Sequence, residues 1–130
     1  MTAPVQHPMF IDGQFVSWQG EGWLDVINPA TEEVLARIPD GRAEDARKAI
    51  EAAERAQPGW EALPAIERAG WLRKIAAGIR DKASEISALI VAEGGKIQQL
   101  ADVEVSFTAD YIDYMAEWAR RYEGEILQSD

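Results

Sequence analysis

The chain has 130 residues, 47% hydrophobic and 28% charged, with ten glycines and six prolines, a composition that excludes collagen-like, low-complexity and wholly disordered classes. At 14.4 kDa, a compact fold would keep about 6,800 Å² of the roughly 21,000 Å² that the extended chain exposes. Thirteen Lys and Arg against 23 Asp and Glu give a formal net charge of −10, which repels a phosphate backbone and excludes nucleic acid as a partner, and the lack of cysteine excludes disulfides, thiolate metal sites and cysteine nucleophiles within this chain.

The N-terminal stretch, Met1 to Phe10, carries no basic flank, and Pro4, Gln6, His7 and Pro8 interrupt what a signal peptide needs as an unbroken apolar run. His7 is expected to sit in a frayed segment. Asp12-Gly13 between Met9-Phe10-Ile11 and Gln14-Phe15-Val16 predicts a hairpin, because both turn positions tolerate positive φ. Two further short strands, Trp23 to Ile27 and Glu33 to Ile38, are separated by a turn that starts at Asn28-Pro29. A boundary near Asp40-Gly41 divides a β-rich segment, 1–41, from a helical layer, 42–130.

The first helix is predicted from Arg42 to Gln57, with Ala46, Ala49, Ile50 and Ala53 on its apolar face, Glu44–Lys48 and Glu51–Arg55 as favourable pairs, and Pro58-Gly59 as its stop. A second starts at Pro64 and runs to about Lys82, with Leu72, Ile75, Ala76 and Ile79 on one face. Ser84 is expected to cap a third, short helix that buries Ile86, Leu89 and Ile90 and ends at Gly94-Gly95. The longest apolar stretch, Ile86 to Val91, is interrupted by Ser87 and is far short of the roughly 20 residues that span a bilayer, so a soluble, cytoplasmic protein with no membrane partner is expected. The last helix, from about Ile97 to Tyr122 with Gly124 as its stop, places Val103, Phe107, Tyr111, Tyr114, Trp118 and Tyr122 in one stripe. Such a stripe is ordinarily core packing, and its size suggests burial against something larger than this chain.

No G-x-G-x-x-G turn, P-loop or histidine cluster is present, so no catalytic or cofactor-binding residue is assigned. Asp102, Glu104, Asp110, Asp113 and Glu117 read as the solvated side of an amphipathic helix, since a di-metal bundle would need a histidine beside them. Glu93 is the exception. Seven residues after Ile86 and three after Ile90, it falls on the apolar face at a helix C-terminus, opposing the macrodipole by about 0.3–1 kcal/mol. Lys96, a backbone N–H or a monovalent cation shared with backbone carbonyls would relieve it.

Several motifs in register resemble the opening of NAD-dependent aldehyde dehydrogenases. They are Val26-Ile27-Asn28-Pro29-Ala30-Thr31-Glu32-Glu33-Val34, then Ile38-Pro39-Asp40-Gly41 with an Ala-rich helix leading to Trp60. Glu67-Arg68-Ala69-Gly70-Trp71-Leu72, Glu93-Gly94-Gly95-Lys96 and Tyr111-Ile112-Asp113-Tyr114-Met115-Ala116-Glu117-Trp118-Ala119 follow in the same order. The resemblance implies an α/β fold of which this chain supplies the N-terminal hairpin, short strands and helix layer beside the cofactor domain, without the Rossmann-type sheet. It also implies an N-terminal fragment of a longer, homo-oligomeric enzyme that oxidises small hydroxyaldehydes such as lactaldehyde or glycolaldehyde to acids. NAD and the reactive groups would be held by residues beyond this chain, making the remainder of its own polypeptide its partner and leaving the 130 residues inactive alone. Ile27 and Glu93 match positions where relatives bind Na⁺ or K⁺, and Phe107 matches a position near the mouth of the substrate tunnel. Glu32 stands where most relatives carry glycine. The alternative reading is a free-standing acidic helical module that binds a protein through the aromatic stripe.

Overall fold

The computed structural model describes residues 3–18, 20, 22–121 and 124. Met1 and Tyr122, which the sequence reading includes in its first and last segments, lie outside the described residues. Strands β1 (Val5–Gln6), β2 (Met9–Ile11), β3 (Gln14–Val16), β4 (Trp23–Ile27) and β5 (Val34–Pro39) precede helices α1 (Ala43–Glu61), α2 (Ala65–Asp81), α3 (Ala83–Gly94) and α4 (Gln98–Glu117), and a 3₁₀ turn follows at Trp118–Arg120.

The hairpin forms as the Asp-Gly signal predicts, with φ of 55° at Asp12 and 74° at Gly13 and Phe10 opposite Phe15. Their rings meet edge to face at 5.1 Å, yet both remain exposed. The second sheet has the order β1-β5-β4, with β1 parallel and β4 antiparallel to β5. The frayed segment expected around His7 is instead paired: its N–H donates to the Arg37 carbonyl at 2.9 Å, extending the β1 ladder. Val26 opposes Ala36 and Ile27 opposes Val34, so Leu35 is an extra residue that bulges β5 where the strand leaves for the turn.

That turn is built by Asn28. Its side-chain oxygen accepts from the Ala30 N–H at 2.9 Å, and its carbonyl accepts from the Glu32 N–H at 2.8 Å. Glu32 takes φ of 61°, a left-handed conformation that strains a residue with a Cβ.

Helix α1 does not stop at Pro58-Gly59 but continues to Glu61, with the Ala62 N–H donating to the Pro58 carbonyl at 3.1 Å. A proline in the final turn removes one N–H without blocking the turn that follows it. Pro64, which disfavours helical geometry at Leu63, supplies the actual break. The expected Glu44–Lys48 and Glu51–Arg55 pairs are replaced: Glu44 pairs with Arg47, and Arg55 reaches Asp12 of the hairpin at 3.2 Å. Ala52 is the buried residue of α1, while Ile50 is exposed. The third helix starts after Lys82, not at a Ser84 cap; Ser84 lies in its first turn and accepts from the Ser87 hydroxyl at 3.4 Å. Its buried residue is Ser87, and Leu89 is exposed.

The interior of the helical layer is made of small side chains. Ala69 and Ala76 of α2, Ser87 of α3, and Ala101, Val105, Ala109 and Ala116 of α4 are buried. Alanine faces let helix axes approach closely but bury little area. Correspondingly, Phe107, Tyr111, Tyr114 and Trp118, expected as core, line the exposed side of α4, with Phe107 65% accessible. The chain exposes 10509 Å², about 3,700 Å² more than a compact domain of its mass.

Candidate functional site

Helix α4 carries two opposed faces because Ala101, Val105, Ala109 and Ala116 recur on one side, while Val103, Phe107, Tyr111 and Tyr114 recur on the other, continued by Trp118 of the 3₁₀ turn. Along the exposed side the rings form a ladder. Phe107 stacks on Tyr111 at 6.0 Å, Tyr111 tilts on Tyr114 at 6.2 Å, and Tyr114 meets Trp118 edge-on at 6.3 Å. Phe107, the candidate tunnel residue, is thus one rung of an aromatic face open to whatever lies over it.

The candidate cation residues occupy a second place. Ile27 ends β4, and Glu93 lies in the last turn of α3. Between the two elements, Gly95 caps α3 in the left-handed conformation at φ 64°, its N–H donating to the Val91 carbonyl at 3.0 Å. A Cβ at Gly95 would stand 3.0 Å from the Pro29 ring, so the Asn28-Pro29 turn rests directly on the C-terminus of α3. Ile27 lies two residues before Pro29 along the chain, and Glu93 two before Gly95. Glu93 is exposed, not buried on the apolar face as its spacing suggests, because the face it shares with Leu89 is itself open. Lys96 does not serve it: the ammonium pairs with Glu104 of α4.

The acidic side chains of α4 are tied to neighbours. Arg80 of α2 reaches Asp110 and Asp113, each at 2.8 Å, and the two carboxylates hold its guanidinium above the ordinary arginine range. Gln98 donates to Asp102 at 2.8 Å, and Arg121 pairs with Glu117 at 3.3 Å. Among the described residues no three His, Cys, Asp or Glu side chains form a metal cluster, and no helix is long and apolar enough to cross a membrane. The Arg80 fork, the Lys96 pair and the Gly95–Pro29 contact were absent from the sequence reading. The only available signal was the i, i+3 spacing of Asp110 and Asp113 opposite a basic helix.

The β5–α1 junction is the place where a strand feeds a helix, but the Arg42 N–H donates to the Asp45 carboxylate at 3.0 Å and Glu44 stands beside it. That helix N-terminus already holds negative charge and would repel a pyrophosphate.

A model of the aldehyde dehydrogenase family matches residues 15–130. The chain is 82% identical over all 130 residues to the lactaldehyde dehydrogenase of Escherichia coli K12, covering 27% of that protein. It is 42% identical over 125 residues, 96% of its length, to 26% of the 3,6-anhydro-alpha-L-galactose dehydrogenase of a Vibrio species. The crystal structure of the Escherichia coli lactaldehyde dehydrogenase superposes on 98% of the chain with a TM-score of 0.94, again over 27% of its own length. The chain therefore spans about a quarter of the relatives it matches. A family match over this extent, at this identity, leaves the free-standing interaction module without support, and the chain belongs to the aldehyde dehydrogenase family.

Proposed function

We propose that these 130 residues are the N-terminal scaffold of a cytoplasmic, homo-oligomeric, NAD-dependent aldehyde dehydrogenase that oxidises small hydroxyaldehydes, of the lactaldehyde and glycolaldehyde class, to carboxylic acids. The substrate class rests on the 82% identity to a lactaldehyde dehydrogenase. The role of scaffold rests on one observation: the buried side chains are alanines, Ser87 and Val105, while Phe107, Tyr111, Tyr114, Trp118, Ile75 and Leu89 face outward. An excess of about 3,700 Å² is on the scale of an obligate interface, which is what a layer needs when the rest of an enzyme packs over it. The 1–41 and 42–130 segments then belong together to the cofactor-binding domain. With no cysteine in the chain, the thiolate that attacks the aldehyde belongs to other polypeptide, as do the residues that hold NAD. Phe107 stands at the mouth of the substrate tunnel in this reading.

Ile27 and Glu93 hold a structural Na⁺ or K⁺ through a backbone carbonyl and a carboxylate, hard oxygen donors suited to such an ion. The Gly95–Pro29 contact supports the pairing by joining their two elements. Thermal midpoints of the full-length protein in K⁺, Na⁺ and choline should differ, and Glu93→Gln should abolish the difference; equal midpoints throughout remove the site.

The scaffold reading is tested with the full-length protein and with residues 1–130 alone. The full-length protein should reduce NAD in the presence of lactaldehyde or glycolaldehyde. The 130-residue piece should be inactive and bind the dye ANS through its open apolar faces. Turnover by the piece alone, or a cooperative melt without dye binding, contradicts the reading.

A further inference from the structure

We propose that Arg80 is a positioning residue for aldehyde selection: its fork onto Asp110 and Asp113 sets the rotation of α4 and so the presentation of the Phe107–Tyr111–Tyr114 ladder. The inference rests on the reading that Phe107 lies at the substrate tunnel.

The α2–α4 contact itself does little to fix that rotation. The buried side chains of α2 and α4 are Ala69, Ala76, Ala101, Ala109 and Ala116 with the single valine Val105, mostly methyl groups too short to interdigitate as knobs in holes. A helix seated on alanines can turn by a fraction of a residue with small loss of contact, and a side chain as long as Phe107 amplifies that turn at its tip. Rotational control must come from the flanks. At 100° per residue, Asp110 and Asp113 lie about 60° and 120° round the α4 axis from Phe107, between the ladder and the buried face. Glu104 lies about 60° round on the opposite side. Arg80 holds the first flank at 2.8 Å to each carboxylate. Lys96, on the loop between α3 and α4, holds the second through Glu104. The helix is stayed from both sides, and only an arginine fork satisfies two carboxylates one turn apart. All three fork residues remain partly accessible to water, so the fork's effect is expected in orientation more than in stability.

The test uses the full-length enzyme. Arg80→Gln should raise KM for glycolaldehyde by about tenfold and change kcat less, since displacement of a lining ring alters binding geometry before chemistry. Arg80→Lys, which cannot fork, should give a similar shift. The near-UV circular dichroism of the tyrosine–tryptophan ladder should change in both variants. Exchanging the charges, Arg80→Asp with Asp113→Arg, restores one interhelical pair but leaves Asp110 beside a carboxylate, and should return KM and the spectrum only part of the way to wild type. Phe107→Ala separates the layers of the argument. If it shifts KM while Arg80→Gln leaves KM and spectrum unaltered, the tunnel reading stands and the positioning role is overturned. If Arg80→Gln lowers the melting temperature alone, the fork is only a structural tie and the proposal fails. If neither variant moves KM, or the wild type oxidises no aldehyde, the underlying reading fails and takes the inference with it.

Discussion

Replacing Gly95 by alanine tests the junction that joins the Asn28-Pro29 turn to α3. Two separable penalties arise at this position. At φ 64° a residue with a Cβ is strained by about 1–2 kcal/mol relative to glycine. The same Cβ would stand 3.0 Å from Pro29 Cγ, and pushing the ring back by a few tenths of an ångström costs about 1 kcal/mol. Gly95→Ala is therefore expected to destabilise the full-length protein by about 2–3 kcal/mol. Gly95→Asn keeps the contact but relieves part of the backbone strain, because asparagine enters the left-handed region more readily, and should cost less than alanine. Pro29→Ala in the Gly95→Ala background removes the ring and should recover about 1 kcal/mol that it does not give in the wild type. The measurement is the urea midpoint of each member of the cycle, with hydrogen exchange of the Gly95 amide, which donates to Val91, as the local readout. A neutral Gly95→Ala, or a cycle that is additive within about 0.3 kcal/mol, would show that the turn does not rest on the helix end.

Glu32→Gly should stabilise the protein by about 1 kcal/mol by relieving φ of 61° at a position glycine enters freely; a lower melting temperature would contradict the strain. Ala76→Leu should destabilise by about 1–3 kcal/mol, since Ala76 is fully buried where helices of the layer meet and there is no room for three more carbons; a neutral result would mean the helices stand further apart. Ile75→Ala, by contrast, removes a side chain that this chain leaves 52% exposed, yet in the full-length protein it should cost about 2–4 kcal/mol once the rest of the enzyme covers that face. A cost under about 0.5 kcal/mol, measured by urea unfolding, would mean that nothing packs there.

The parts of the fold that the sequence displays are those with local causes. Asp12-Gly13 dictates its hairpin because two adjacent positive φ values have few other solutions, and Asn28-Pro29 dictates its turn through the asparagine side chain's reach to Ala30. What escaped depends on tertiary placement. Pro58 reads as a stop because proline breaks helix interiors, but in a final turn its penalty falls on a single hydrogen bond, and the true end lies at Pro64. Phe107, Tyr111 and Trp118 read as core because large apolar rings are ordinarily buried, yet α4 turns its alanines inward. Glu93 reads as buried for the same reason. Spacing placed it correctly on the face with Leu89, but spacing cannot reveal whether that face has a partner. The Arg80 fork joins residues thirty apart: the i, i+3 spacing of Asp110 and Asp113 sets two carboxylates on one flank, but it does not name the arginine that reaches them.

The distribution of side-chain size explains why a chain with clear family motifs nonetheless buries only small side chains among its described residues. A self-sufficient domain places its largest apolar groups where water is excluded, since each such group contributes about 1.5–3 kcal/mol when fully buried. Here the order is inverted: among the described residues the buried side chains are alanines, Ser87 and Val105, while the tryptophans at 60, 71 and 118 are 45–49% exposed. Small residues inside let α2 and α3 pack on α4, and large residues outside leave exposed apolar surface on all three helices. Such an arrangement is unfavourable for an isolated domain and favourable for a layer whose stability is collected only when further polypeptide closes over its open apolar surface. On this argument the aromatic ladder of α4 serves the same end as the open faces of α2 and α3, and its contact with substrate would be a second use of rings already present for packing.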